Sequence, residues 1–206
     1  MYVYAFSCCN GRGVFFLDRR PRPRKEVANM AGGIPKAQLM NGEGMQRALT
    51  RMAHEMMEQL DPLDNVVMVG IRRRGVPLAQ RLADIIEKYE NVKIPVGEVD
   101  IANYRDDLAN RELKVQEQNI PVDVAGRIVV LVDDVLHTGR TVRAAMDAIL
   151  DQGRAQKIRL AVLIDRGHRE LPIRPDFVGK NVPTAQSERI GVQMEEIDGG
   201  DGVALY

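Results

Sequence analysis

A single apolar run constrains the fold more than any other feature of this chain. Residues 128–132 read Ile-Val-Val-Leu-Val, with no polar side chain among them. A strand with one face in solvent alternates polar and apolar residues, so a continuous apolar strand is typical of a parallel sheet covered on both faces. Residues 160–164 have the same character. Both runs are far shorter than the roughly 18 apolar residues that cross a bilayer, so we predict buried strands and no membrane span.

Helical and strand-like patterns alternate around these runs. Apolar residues recur every three or four positions over residues 45–60, which predicts a helix that ends at Asp61-Pro62. The other predicted elements are strands at 65–71, 92–99 and 158–164 and helices at 77–89 and 141–150. Strands that alternate with helices predict a doubly wound parallel α/β sheet, and a length of 206 residues suits one such domain.

Composition predicts an N-terminal tail and excludes several classes of protein. Residues 1–35 are rich in arginine, proline and glycine without periodicity, so we expect a flexible basic tail before a folded domain at 36–206. Lys+Arg and Asp+Glu both total 29, so a nucleic-acid site would have to be a local patch. The only cysteines, Cys8 and Cys9, are adjacent, which excludes a disulfide framework and a cysteine-based zinc site and favours a cytoplasmic location.

The segment after the apolar run has the chemistry of a ribose phosphate site. Asp133 and Asp134 follow the strand, and a loop with Thr138, Gly139 and Thr141 then leads into the predicted helix. Loop and helix N-terminal amides favour a phosphate dianion, threonine hydroxyls add donors, and carboxylates accept hydrogen bonds from ribose hydroxyls. We therefore predict a ribose 5-phosphate cradle here. The chain has neither a Walker A loop nor a G-x-G-x-x-G motif, which argues against an NTPase or a dinucleotide enzyme.

This segment closely resembles the 5-phosphoribosyl-1-pyrophosphate (PRPP) motif of type I phosphoribosyltransferases, in which a hydrophobic run and two acids precede Thr-Gly-x-Thr. The PRPP-binding residues that the resemblance implies are Val129, Val130, Leu131, Val132, Asp133, Asp134, Val135, Leu136, His137, Thr138, Gly139, Arg140 and Thr141. It also implies the fold of that superfamily, a doubly wound parallel sheet with a flexible flap and a small C-terminal hood.

Further segments narrow the resemblance to one family. They read RALTRMAHE at 47–55, GIRRRG at 70–75, YRDDL at 104–108, DRGHRELPIR at 165–174 and GKNVPT at 179–184. These look like the bacterial pyrimidine-operon attenuator proteins that are also uracil phosphoribosyltransferases. The resemblance covers roughly residues 36–206. It implies a cytoplasmic bifunctional protein that makes UMP and pyrophosphate from uracil and PRPP.

The resemblance assigns roles around the reaction. Arg73 and Arg74 lie in the segment that resembles the family's pyrophosphate loop, where backbone amides, often around a strained peptide, hold the leaving group. Arg105 lies in the polar stretch of residues 100–119, which resembles a mobile lid that closes over PRPP. Asp133 and Asp134 complete the implied catalytic set. Mg²⁺ is the implied cofactor, held mainly by substrate oxygens and water, with no dedicated protein metal site.

Uracil is implied to contact Arg166 and a backbone group near Ile190. Sequence alone separates uracil poorly from hypoxanthine, because a small base pocket depends on backbone groups more than on one distinctive side chain.

Polar residues also share one stripe of the first predicted helix. Arg47, Arg51 and His54 lie at i, i+4 and i+7 with Thr50 beside them, opposite the apolar face. Taken alone, such a stripe is more often solvated surface. The resemblance instead implies that it binds the leader mRNA of the pyrimidine operon, on a homodimer or larger homo-oligomer, in response to UMP or UTP. The implied RNA-binding residues are Thr50, Arg51, His54, Arg169, Arg174 and Lys180.

Two departures from the family and two other functions stay open. Gln59 stands where family members can have arginine, and His137 stands where tyrosine is usual. The first alternative is a nucleotide-sensing RNA regulator without catalysis, against which Arg105 and Asp134 argue. The second is a phosphoribosyltransferase for another base with no RNA role.

Overall fold

The computed structural model describes residues 34–102, 104 and 119–206. Most of the predicted tail therefore lies outside the described residues, as does Arg105 with most of the predicted flap. The expectations for those segments stay predictions.

The described chain forms a five-stranded sheet and a separate three-stranded sheet. The elements in chain order are β1 (Ala37–Asn41), α1 (Gly42–Gln59), β2 (Val66–Ile71), α2 (Gly75–Glu90), β3 (Val96–Val99), β4 (Ile128–Leu136), α3 (Arg140–Gln152), β5 (Lys157–Asp165), β6 (Phe177–Asn181), β7 (Ile190–Gln193), α4 (Glu195–Asp198) and β8 (Gly202–Leu205). The larger sheet has the order β3-β2-β4-β5-β6, and every neighbouring pair in it is parallel. The predicted doubly wound α/β fold is confirmed.

The central strand β4 explains why its sequence lacks alternation. Ile128, Val130 and Val132 face a core that contains residues of α1 and α2. Val129 and Leu131 face a second core that contains residues of α3. Both sides of the strand are thus covered by helices, and all five side chains are buried.

Local signals set the limits of the helices. The side chain of Asn41 caps α1 by accepting a hydrogen bond from the Gly44 N–H at 2.8 Å. The buried face of α1 includes Met45, Leu49 and Met52, as the periodicity predicted. Helix α3 ends at Gln152, and Gly153 follows it as the C-cap. Strand β4 is longer than predicted, because its pairing with β5 continues through Leu136 and so includes both aspartates.

The smaller sheet forms a hood from the two ends of the described chain. β8 pairs antiparallel with β1 and with β7, in the order β1-β8-β7. This confirms a C-terminal hood and adds β1, which short-range patterns did not predict. The side chains of Val192, Met194 and Val203 join the core that α1 and α2 cover, so the hood is anchored to the larger sheet. Among the described residues, no helix is long and apolar enough to cross a membrane.

Candidate functional site

Two carboxylates lie side by side at the end of β4. The Asp134 N–H donates to Oδ1 of Asp133 at 2.9 Å, and the Val135 N–H donates to Oδ1 of Asp134 at 2.8 Å. Burial raises the pKa of Asp133 well above its usual range, and the charge of Asp134 adds to this effect. Burial also raises the pKa of Asp134, although the hydrogen bond from Val135 and the charge of Arg74 oppose the shift. A ligand that donates hydrogen bonds to this pair would offset the penalty of burying negative charge.

The loop after β4 holds the start of α3 at the same edge of the sheet. Gly139 has φ +92°, a left-handed conformation that side chains with a Cβ rarely adopt. The carbonyl of Thr138 accepts hydrogen bonds from the N–H groups of Glu170 and Leu171 at 3.0 and 3.1 Å. The loop is therefore fixed by the segment after β5, and the helix N-terminus that it carries can receive an anion.

A second loop, residues 72–74, lies beside the first because β2 and β4 are parallel neighbours. Its Arg72–Arg73 peptide bond is cis. A Cβ on Gly75 would stand 2.2 Å from the carbonyl oxygen of Val132, so glycine lets α2 begin in contact with β4. The Arg73 side chain is exposed beyond this contact. The predicted pyrophosphate loop and PRPP loop thus follow the carboxyl ends of adjacent parallel strands, where parallel α/β sheets bind ligands.

Arg74 makes a contact that the sequence did not predict. Its Nη2 lies 3.1 and 3.2 Å from the two carboxylate oxygens of Asp198, in the hood helix α4. The pair is separated by 124 positions in the chain, so no local pattern indicates it. It joins the candidate pyrophosphate loop directly to the hood.

Arg166 connects the end of β5 to the hood. Its Nε donates to Oγ1 of Thr184 at 3.2 Å, and its Nη2 donates to the carbonyl of Glu188 at 2.8 Å. Only 7% of the residue is exposed, and this burial lowers the pKa of its guanidinium. Because Glu188 is two residues from Ile190, the structure brings both predicted uracil contacts to the region between β5 and β7.

Two of the predicted RNA-binding residues line one cleft. Arg51 donates from Nη2 to the carbonyls of Val178 and Gly179 at 2.9 and 2.6 Å, which ties α1 to β6. Lys180 donates from Nζ to the carbonyl of Leu39 at 3.0 Å. Both side chains line a cleft of about 590 Å³ that also includes Arg47. The cleft is basic, although Arg51 also has an intramolecular role.

Thr50 and His54 lie on the same helix outside that cleft. The Thr50 hydroxyl donates to the carbonyl of Gln46 at 2.9 Å. His54 is exposed, and its ring packs against the ring of Tyr89 with centroids 4.7 Å apart. The predicted polar stripe is therefore at the surface, next to α2.

Arg169 and Arg174 line a second cleft of about 390 Å³ on β6. Arg174 is exposed, whereas the Arg169 guanidinium is 2.6 Å from Asp165 and donates to the carbonyl of His137 at 2.8 Å. Arg169 thus lines the cleft and also supports the backbone of the predicted PRPP loop. Four of the six predicted RNA residues line the two clefts that share β6, and all six roles stay predictions.

Comparison with known proteins agrees with this geometry. Residues 36–196 match the family model described as a phosphoribosyl transferase domain. The fold is similar to that of a hypoxanthine-guanine phosphoribosyltransferase from Bacillus anthracis, with a TM-score of 0.64 and 18% identity over 84% of this chain and 98% of the other. The chain is a member of the phosphoribosyltransferase superfamily.

Much more similar relatives define the family within that class. Bifunctional protein PyrR from Chloroflexus aurantiacus is 58% identical over 170 residues, which cover 82% of this chain and 93% of the relative. The proteins of the same name from Clostridium perfringens strain SM101 and Bacillus subtilis are 56% and 54% identical, and each alignment covers 83% of this chain and 97% of the relative. This chain belongs to the PyrR family of bifunctional proteins.

Proposed function

We propose that this protein has two activities, the transfer of a phosphoribosyl group from PRPP to uracil and the attenuation of pyrimidine-operon transcription through leader mRNA. The enzyme gives UMP and pyrophosphate, and UMP or UTP in the same pocket promotes RNA binding and transcription termination. The observation that carries the enzymatic proposal is that residues 72–74 and 137–139 follow the carboxyl ends of the neighbouring parallel strands β2 and β4.

The reaction needs positioning and charge stabilisation more than covalent catalysis. A uracil nitrogen forms the new bond to the anomeric carbon of PRPP as the bond to the pyrophosphate oxygen breaks, and the departing group takes the electron pair. The proton of that nitrogen passes to solvent. Asp133 and Asp134 accept hydrogen bonds from the ribose hydroxyls, and residues 137–141 hold the 5-phosphate. The role proposed for Arg73, Arg74 and Arg105 is to stabilise the charge of the departing pyrophosphate.

The carboxylates near the predicted PRPP site suit a magnesium ion that arrives bound to PRPP. Within 34–102, 104 and 119–206, no group of three or more His, Cys, Asp or Glu side chains could hold a metal ion. Asp133 and Asp134 provide carboxylate oxygens at the β4 end, which suits Mg²⁺ held mainly by PRPP oxygens and water. When bound, Mg²⁺ supplies charge neutralisation on the pyrophosphate.

Local charge supports the RNA activity in a chain with no net charge. Arg51 and Lys180 line one cleft beside β6, and Arg174 lines the other. Positive side chains on a concave surface bind phosphate backbones, and such binding weakens as salt rises. We further propose that residues 36–206 form the functional domain, that residues 1–35 are a basic tail, and that two or more copies assemble.

Purified protein should convert uracil, PRPP and Mg²⁺ to UMP, and Asp134→Asn should abolish turnover. Hypoxanthine should not compete. The controls are equal circular dichroism spectra and elution volumes for the two proteins. Turnover with hypoxanthine in place of uracil would favour the phosphoribosyltransferase for another base. UMP binding without turnover would favour the sensor that lacks catalysis.

The RNA activity is tested by gel-shift titration with the leader hairpin of the operon. UMP should increase the affinity, and added salt should decrease it. Equal affinity with and without UMP would contradict the proposed coupling between the two sites.

A further inference from the structure

The contact between Arg74 and Asp198 is largely removed from water. The side chains are only 18% and 8% exposed, and Nη2 of Arg74 lies within hydrogen-bond distance of both carboxylate oxygens. Two charge-assisted contacts in a largely buried ion pair favour one orientation of the guanidinium over others. The pair is therefore a positional constraint on the Arg74 side chain.

Arg74 lies between the hood and the carboxylates of β4. It directly precedes Gly75, whose contact with the Val132 carbonyl places the start of α2 against β4. Asp134 is two residues beyond Val132 on that strand, and the positive charge of Arg74 acts on its carboxylate. The guanidinium thus reaches the hood from a backbone position next to the predicted PRPP site.

Asp198 is itself held in place within the hood. Its Oδ2 accepts a hydrogen bond from the Met194 N–H at 2.9 Å, and its own N–H donates to the Met194 carbonyl at 2.6 Å. Met194 is fully buried in the core. The carboxylate is consequently anchored to the core through the hood and offers Arg74 a fixed partner.

We propose that Asp198 is a positioning residue for the phosphoribosyl transfer, which holds Arg74 where it can act on the pyrophosphate group of PRPP. The inference rests on the proposed function of Arg74. Without Asp198, the guanidinium loses its fixed partner in the hood and must be reordered at each binding event, which weakens preorganised charge stabilisation. Loss of Asp198 should therefore weaken the binding of the pyrophosphate group and leave the contacts with uracil unchanged.

The test compares Asp198→Asn with Glu196→Gln, a matched control in the same helix. Glu196 makes two 2.8 Å contacts with Arg81 and none with Arg74 among the described contacts. Asp198→Asn should raise the KM for PRPP, and the KM for pyrophosphate in the reverse reaction, about tenfold. Its KM for uracil should change less than about twofold. Asp198→Glu should recover part of the loss, and Glu196→Gln should resemble the wild type.

A purely structural role would affect all substrates together. The proposal is overturned if Asp198→Asn changes the KM values of uracil and PRPP in parallel, or if it lowers the KM for PRPP. Thermal melting of both variants shows whether the fold is kept. If the wild type makes no UMP, the proposed function fails, and calorimetric titration with pyrophosphate then tests positioning without turnover. Equal pyrophosphate affinity in the wild type and Asp198→Asn would overturn the positioning role.

Discussion

Asp133 accepts a hydrogen bond from the backbone N–H of its neighbour Asp134 at 2.9 Å, and both residues lie near the carboxyl end of the buried strand β4. Only 7% of Asp133 is exposed. A strand end selected for stability alone would place an apolar or neutral side chain there, because burial penalises negative charge. Burying the two carboxylates costs free energy. A ligand that brings several hydroxyl groups and a bound cation can offset that cost.

Asp133→Asn should therefore stabilise the fold at pH 7 while removing turnover. Asparagine keeps the acceptor for the Asp134 N–H and removes the buried charge. We expect the melting temperature to rise by about 2–4 °C, the shift that roughly 1 kcal/mol produces in a domain of this size. Differential scanning calorimetry measures it.

The stabilisation by Asp133→Asn should depend on pH, and the direction of that dependence follows from the pKa of Asp133. Because burial raises the pKa of Asp133, the folded state holds that proton more tightly than the unfolded state does. The free energy of unfolding of the wild type then falls as pH rises from the ordinary aspartate range through the raised pKa. The advantage of Asp133→Asn should shrink near pH 4. Asp123→Asn is the control, since exposed Asp123 also accepts a backbone hydrogen bond, at 2.8 Å. An equal advantage at both pH values would contradict burial as the cause.

Gly75→Ala should damage both the fold and the pyrophosphate loop. The new Cβ would lie 2.2 Å from the Val132 carbonyl oxygen, so the start of α2 would have to move away from β4. We expect a loss of about 1–3 kcal/mol in the free energy of unfolding by urea titration, together with weaker PRPP binding.

Gly42→Ala is the matched control, because Gly42 also begins a helix. Its new Cβ would meet Cβ of Asp201 at 3.4 Å, an ordinary contact. If both variants lose the same stability, loss of glycine at a helix start, and not contact with β4, would be the cause.

Arg51→Gln and Thr50→Ala should separate RNA binding from packing. Arg51 donates to two carbonyls of β6, so its replacement should lower the free energy of unfolding by about 1 kcal/mol and also weaken RNA binding. The Thr50 hydroxyl bonds only within its own helix among the described contacts, so Thr50→Ala should weaken RNA binding with little change in stability. Turnover should persist in both. Normal RNA affinity in Thr50→Ala would remove this face of α1 from the proposed interface.

His137→Tyr should reduce the pH dependence of PRPP binding. Burial lowers the pKa of His137, and the positive charges of Arg166 and Arg169 and the neighbouring His168 add to the shift, while Glu170 opposes it. Below that lowered pKa, protonation adds a cation to the loop that we propose holds the 5-phosphate, so PRPP affinity should rise as pH falls.

Calorimetric titrations between about pH 4.5 and about 7.5 would measure the effect, because this range extends well below the ordinary histidine pKa of about 6.5. His168→Gln is the control, since it removes the ring whose centroid is 6.1 Å from that of His137 but keeps His137 itself. A slope that persists in His137→Tyr would assign the titration to another group.

Local sequence patterns were enough to predict the main sheet and a candidate phosphate loop. Residues 128–132 are apolar without alternation because both faces of β4 are covered, and the periodicity of residues 45–60 marks the face of α1 that lies on the core. Asp133, Asp134 and Gly139 are close in the chain, so a short motif contains the residues of the predicted cradle. Such features depend on residues that are close together in the chain, so they can be predicted from a single sequence.

The contacts between distant segments could be found only in the folded structure. Asp198 and Arg74 are 124 positions apart in the chain, and Arg51 donates to a β6 carbonyl 127 positions away. β1 and β8 pair from opposite ends of the described chain. Each contact depends on the packing of whole elements, and no spacing along the chain encodes it. Sequence could therefore assign Arg51 and Arg169 a charge, but the fold decided that both also support the backbone, because carbonyl groups at the ends and edges of strands need donors.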